Sequence, residues 1–219
     1  MSKKFLGIIP ARMGSKRLLN KNNRKIGKIS LTEISIRSAL KSKMLDEIVV
    51  SSNDREVFKT ANKFKNIRLV KRPNKLSNSK AKLTDVCKHV SKKNFKNFDY
   101  YVLLQVTSPL RTSFHIDQAI KKVLRNRAVG LISMSSGNNI NKNYYYIKNK
   151  RIYKLESNKK NKSKKFQFNG AIFIMRTDYL RKSESFFING KTLAFVMPKN
   201  LSIDIDYLKD LKKVKILKK

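Results

Sequence analysis

A chain of 219 residues that is 40% hydrophobic is long enough for one domain with a sizeable core, which excludes a peptide-sized binding module. Cys87 is the only cysteine and His89 and His115 are the only histidines, so neither a disulfide framework nor a Cys/His zinc site can be assembled within one chain, and a metal would have to be held by oxygen. The 52 basic against 14 acidic residues give a formal charge of +38, yet lysine is spread along nearly every segment beside abundant asparagine and isoleucine, as an AT-rich codon bias would leave it; nucleic acid is therefore not the expected partner, and the charge instead draws in small anions.

The elements follow in chain order. Residues 5–11 are apolar but are interrupted by Gly7 and run straight into Arg12, without the long apolar region and cleavage site of a signal peptide. No later cluster approaches the roughly 20 apolar residues that span a bilayer, so a cytoplasmic protein without a membrane partner is expected. β-rich runs at 5–9, 47–51, 67–70, 100–104 and 130–134 alternate with helical patterns at 31–41, 55–64, 85–90 and 116–124. This alternation predicts βαβ units and an α/β fold with a mostly parallel sheet flanked by helices.

From Gly137 the pattern changes. Residues 144–147 and 151–155 flank the polar turn Lys148-Asn149-Lys150, as in a β-hairpin. Residues 157–165 are almost wholly Ser, Asn and Lys, too polar to pack, and are expected to be a mobile loop. A buried strand at 170–175, a short helix at 178–181, a strand at 193–197 and a helix from Tyr207 complete the chain, the last with Leu208, Leu211 and Val214 on one side. No internal repeat is visible, and 1–219 reads as a single domain.

Three segments could carry chemistry. In the first, Ile9-Pro10-Ala11-Arg12-Met13-Gly14-Ser15-Lys16-Arg17 and then Lys21-Asn22, a strand opens into a loop where backbone N–H groups and cations can converge on phosphates. It is neither a Walker A nor a GxGxxG loop, and a solvated basic loop is the alternative. In the second, Leu104-Gln105-Val106-Thr107-Ser108-Pro109-Leu110-Arg111, a buried strand ends in polar groups at the carboxyl edge of the sheet, where open α/β folds bind ligands. A simple connection with Ser113 capping the next helix would read the same way. In the third, Ser202-Ile203-Asp204-Ile205-Asp206, an extended backbone would point both carboxylates one way and both isoleucines the other, which suits Mg²⁺ carrying substrate phosphates. The alternative is a solvated edge with Asp206 capping the last helix.

In this order the segments resemble the CMP-sialic acid synthetase (acylneuraminate cytidylyltransferase) family over nearly the whole chain. Further matching stretches are residues 49–54, Arg72-Pro73, Asn169-Gly170-Ala171-Ile172-Phe173 and Phe186-Phe187. The resemblance implies a Rossmann-like fold of the nucleotide-diphospho-sugar transferase type, a homodimer with 137–165 as dimerisation hairpin and loop, and Mg²⁺-dependent transfer of CMP from CTP to an acidic nine-carbon sugar. It further implies that Arg12, Gly14, Ser15, Lys21, Asn22, Arg72 and Ala81 meet the nucleotide, and that Gln105, Arg111, Gln167 and Asn169 meet the sugar. Asp204 and Asp206 would hold the metal, and Lys21, Arg12 and Asp206 would carry the catalysis.

The chain departs from that pattern in three places. Gln167-Phe168 stands where an Arg-Pro usually precedes Asn-Gly, and a neutral amide cannot replace a guanidinium that pairs with a sugar carboxylate. Ser79-Lys80-Ala81-Lys82 stands where Asp-Thr-Ala-Ser is usual, and the 137–165 segment is lysine-rich. The rival readings are a Kdo-type sugar nucleotidyltransferase, whose phosphate loop usually lacks the Lys21-Asn22 pair, and a polyanion-binding protein on a degenerate transferase scaffold. Cys87 and His89 read as packing residues, and Tyr144, Tyr145 and Tyr146 as either a stacking platform or an interface hairpin.

Overall fold

The computed structural model describes residues 3–93, 95–137, 143–155 and 164–217. Strand β1 (Phe5–Ala11) alternates its side chains between two cores: Phe5, Ile9 and Ala11 enter one, Leu6 and Ile8 the other. That two-sided burial is what a strand covered by helices on both faces requires. The short β2 (Lys25–Ile26) and β3 (Ile29–Ser30) form a separate ribbon and lead into α1 (Leu31–Leu40), where the Ser30 hydroxyl caps the helix by accepting from the Glu33 N–H. Then come β4 (Glu47–Ser52), α2 (Arg55–Ala61) with Asp54 as its cap, β5 (Arg68–Lys71), α3 (Leu83–Ser91), β6 (Tyr100–Leu103) and α4 (Ser113–Arg125). Thr112, and not Ser113, caps α4 in a capping box with His115.

After β7 (Gly130–Ser136), strands β8 (Tyr145–Lys148) and β9 (Arg151–Lys154) make the expected hairpin, and β10 (Phe166–Arg176), α5 (Thr177–Lys182), β11 (Leu193–Val196) and α6 (Leu208–Leu217) follow. Most of the proposed 157–165 loop lies outside the described residues. In α6, Leu211 and Val214 are buried, but Leu208 is exposed, so the packed stripe is narrower than the sequence pattern.

The sheet order is β5-β4-β1-β6-β10-β7-β11-β9-β8. Strands β5, β4, β1 and β6 are parallel, as is β11 to β7, but β10 runs antiparallel to both its neighbours. The sheet is therefore mixed. β10 pairs antiparallel with β7, Phe166 opposite Ser136, after the β8–β9 hairpin, and no helix among the described residues lies between them. Its register breaks between Phe168 and Phe173, around Gly170 at φ 78°. No helix among the described residues is long and apolar enough to cross a membrane.

Candidate active site

The loop after β1 is preformed by its own polar groups. Ala11 O accepts from Ser52 Oγ at 2.5 Å, and Met13 N donates to Asn53 Oδ1 at 2.9 Å. Asn22 is buried: its Nδ2 donates to Arg12 O at 2.8 Å, and its own carbonyl accepts from Thr32 Oγ1 at 2.9 Å. Gly14 sits at φ 82° with nothing near where a Cβ would be, so backbone conformation, and not crowding, requires glycine there. Arg12 curls back so that Nη1 lies 3.1 Å from Gly14 O. A purely solvated loop would lack these anchors.

The 202–206 segment arrives from the far end of the chain. Ile205 is fully buried and its N–H donates to Thr107 O at 2.8 Å, which ties this segment to the 104–111 segment. The Asp210 carboxylate, in the first turn of α6, accepts from the N–H groups of Asp206 and Tyr207 at 3.1 and 2.8 Å. The Asp206 carboxylate instead accepts from Lys21 Nζ at 2.9 Å and from Arg17 Nη1 at 2.8 Å. Asp204 turns toward β10: a Cβ built on Gly170 would lie 3.4 Å from Asp204 Oδ2 and 3.5 Å from Gln105 Oε1.

Between the loop after β1 and the 104–111 segment lies a cleft of about 160 Å³ lined by Arg12, Ser15, Lys21, Asn22, Arg72 and Gln105; Asp204 and Asp206 do not line it. Arg72 is buried at its edge, where Nη2 donates to Ser51 O at 2.6 Å and Nε to Ser51 Oγ at 3.2 Å. Burial and the neighbouring Arg12 lower its pKa to about 10, so it is still a cation at neutral pH. A larger hollow of about 760 Å³ sits at the opposite ends of the parallel strands, and its acids Asp99 and Asp178 are tied to Lys3 and Arg176. The carboxyl ends of β1, β5 and β6 face the smaller cleft, as in α/β folds that bind nucleotides.

Residues 6–215 match the family model of the cytidylyltransferases. The chain belongs to that family. It is 31% identical to pseudaminic acid cytidylyltransferase of Campylobacter jejuni over 224 residues, which covers 99% of this chain and 97% of that protein. N-acylneuraminate cytidylyltransferase of Escherichia coli is 29% identical over 215 residues, 94% of this chain and 50% of that protein. Among solved structures, CMP:2-keto-3-deoxy-manno-octonic acid synthetase complexed with CTP gives a TM-score of 0.80 at 16% identity, covering 99% of this chain and 98% of that one, a likeness of fold.

Within this cytidylyltransferase, the expected nucleotide residues Arg12, Ser15, Lys21, Asn22 and Arg72 come together in the cleft, while Gly14 shapes the loop beside them. Ala81 is half-buried and does not line the cleft; Leu83, at the start of α3, does. Of the expected sugar residues only Gln105 lines it. Arg111 is fully buried, with Nη1 donating to Gln105 O and Ala171 O at 2.9 Å each, and Nη2 to Ser35 Oγ at 3.2 Å. Asn169 is likewise buried: Oδ1 accepts from Ser133 Oγ at 2.6 Å and from Ala171 N at 3.1 Å, while Nδ2 donates to Ser202 Oγ at 2.9 Å. Both side chains hold the walls of the site and do not face into it. Gln167 is buried against Gly137, where an added Cβ would collide with its Cγ.

Tyr145 stacks on Phe168 at 4.2 Å and meets Phe187 edge-on at 5.2 Å, so it is a packed ring and not an open platform. Arg17 belongs to the cationic loop of the sequence but is not among the expected site residues. It is the third cation of the loop, after Arg12 and Lys16, and nothing local says which of these cations turns toward residue 206.

Proposed function

We propose that this cytidylyltransferase transfers CMP from CTP to the anomeric hydroxyl of a nonulosonic acid in the cytoplasm, with loss of pyrophosphate. The observation that carries the reading is the 2.9 Å contact between Lys21 and Asp206, which joins the phosphate loop to the 202–206 segment. The names of the relatives supply the sugar class.

The chemistry needs positioning and charge, not an enzyme nucleophile. The sugar hydroxyl oxygen attacks the α-phosphorus in line, a new P–O bond forms, the bond to the bridging oxygen breaks, and pyrophosphate leaves with that electron pair. Arg12, Ser15 and Lys21 hold the triphosphate, and Lys21 Nζ offsets the charge that builds on the α-phosphate. Asn22 keeps the loop in shape, and Arg72 presents a charged donor to the cytosine edge. Asp206 accepts the hydroxyl proton, and Gln105 contacts the sugar.

No group of three or more acidic, histidine or cysteine side chains is assembled among the described residues. Asp204, whose Oδ2 packs beside Gly170, and Asp206 offer only oxygens, a donor set that suits a hard cation taking its remaining ligands from phosphate and water. Asp204 and Asp206 would hold Mg²⁺, which when bound supplies charge neutralisation for the phosphates. The β8–β9 hairpin, where Tyr146 stacks on Tyr153 at 5.2 Å, is the proposed contact of a homodimer, to be checked by light scattering of the purified protein.

The deciding experiment incubates the protein with CTP, Mg²⁺ and either a panel of nonulosonic acids or Kdo, while pyrophosphate is followed. Steady release with one nine-carbon acid is expected. Release with Kdo alone would move the enzyme to the rival sugar class, and silence with every sugar alongside salt-sensitive RNA binding would replace the reading.

A further inference from the structure

Both oxygens of the carboxylate assigned above to the metal are engaged by cations of the phosphate loop. Lys21 Nζ lies 2.9 Å from Asp206 Oδ1, and Arg17 Nη1 lies 2.8 Å from Oδ2. The two cations differ in setting. Lys21 is nearly enclosed, with 11% of its side chain exposed, and lines the cleft, whereas Arg17 is 60% exposed and does not line it. Its guanidinium is steadied a second time, over the ring of Tyr207 at 5.6 Å from the centroid.

Two cations offset the charge of Asp206, and with the Asp204 carboxylate counted the four groups sum to about zero. A divalent ion approaching Asp206 therefore meets little net attraction and two hydrogen bonds that it must displace. The loop that supplies Arg17 and Lys21 is also the loop whose N–H groups and cations face the triphosphate. A triphosphate is the stronger partner for both side chains, because it offers several negative charges and more acceptor oxygens than one carboxylate. As the cations move to the phosphates, Asp206 regains its full negative charge where the metal is needed. At no point does the exchange leave a carboxylate or a cation without a partner.

We infer that Arg17 is a positioning residue that competes with the divalent ion for Asp206, so that metal binds there only as the nucleotide draws Arg17 and Lys21 away. The inference rests on the assignment of Asp206 as a metal ligand. It adds a residue and an order of events that the assignment alone does not contain: nucleotide and metal enter together, and metal alone is kept off. In a cell rich in divalent ions this would keep the nucleotide site from closing around a metal with no triphosphate to carry.

The test uses Mn²⁺ as the probe, with free ion read by electron paramagnetic resonance during titration of the full chain, so that no turnover is needed. Without nucleotide, wild type should bind Mn²⁺ weakly, and Arg17→Gln should bind it at least about tenfold more tightly. The double variant Arg17→Gln, Asp206→Asn should lose that gain. With saturating CTP, wild type and Arg17→Gln should agree within about threefold, since the competition has already been relieved.

Equal affinities of wild type and Arg17→Gln without nucleotide would overturn the inference. So would a gain that survives in the double variant, which would mark a general effect of removing one cation from a basic protein. Comparing Asp206→Asn with wild type in the presence of CTP separates the two levels. A lower Mn²⁺ affinity of the variant's CTP complex upholds the metal assignment even if the competition fails. An unchanged affinity would remove the assignment, and the competition with it. Arg17 lies largely in solvent, so its substitution does not threaten the fold.

Discussion

Arg111 Nη1 donates to Ala171 O at 2.9 Å, so a guanidinium from the turn after β6 holds the bend of β10 at the residue next to Gly170. The same nitrogen bonds Gln105 O, which couples the 104–111 segment to β10 beside Gly170, where an added Cβ would lie near both Gln105 Oε1 and Asp204 Oδ2. Replacing Arg111 by Met should cost about 3 kcal/mol or more, because two buried carbonyls lose their donor. Urea denaturation checks this, and Arg111→Lys should recover only part of the loss, since an ammonium lacks the planar fork. A cost under about 1 kcal/mol would show that the carbonyls find other partners.

For Lys21→Ala, turnover should fall by about 100-fold or more while stability changes by about 1 kcal/mol or less. The side chain meets one partly exposed carboxylate, which keeps its second contact with Arg17. Steady-state kinetics and thermal unfolding on the same preparations decide it. Parallel loss of fold and activity would make Lys21 a structural residue.

Asp206→Asn should lower the rate strongly, and excess Mg²⁺ should restore it only in part, because an amide oxygen is a weaker ligand and cannot take the hydroxyl proton. Kinetics indistinguishable from wild type across a Mg²⁺ titration would take Asp206 out of the site.

Gly170→Ala forces a side chain onto a backbone at φ 78° and puts its Cβ 3.4 Å from Asp204 Oδ2. About 1–2 kcal/mol of strain is expected from the left-handed conformation alone. Activity should fall further than that strain implies, because relief would move Asp204 or Gln105. Unfolding data set beside kcat/KM for the two proteins would show whether the effects separate.

Cys87 is fully buried, and burial pushes its thiol pKa well above the ordinary range despite the opposing pull of Arg72. A thiol-reactive dye at pH 8 should find no thiol in the native protein and one per chain after denaturation, matching the single cysteine. Rapid labelling of native protein would contradict the packing of α3.

The strands and helices on the amino side were legible because each is a local pattern. Alternation along 5–11 shows up as Phe5, Ile9 and Ala11 on one face and Leu6 and Ile8 on the other, and helix periods set the crossovers. The direction of β10 was not legible, because an apolar run reads alike in both directions and only its pairing with β6 and β7 settles it. Leu208 fits the same helical period as Leu211 and Val214, yet it is exposed, since α6 meets the core only along the latter two.

For the site, the sequence by itself determined which residue types are available and in what order: a cationic loop with Gly14, a polar strand end with Gln105, and a pair of aspartates. Whether a side chain faces a ligand or holds a wall depends on which neighbours reach it first. Arg111 and Asn169 looked like contacts but are hydrogen-bonded inside the protein, while Arg17, expected only as one cation of the loop, meets Asp206. Those partners lie 60, 36 and 189 positions away along the chain. Separations of that length are closed by packing of the whole sheet, and no local pattern encodes them.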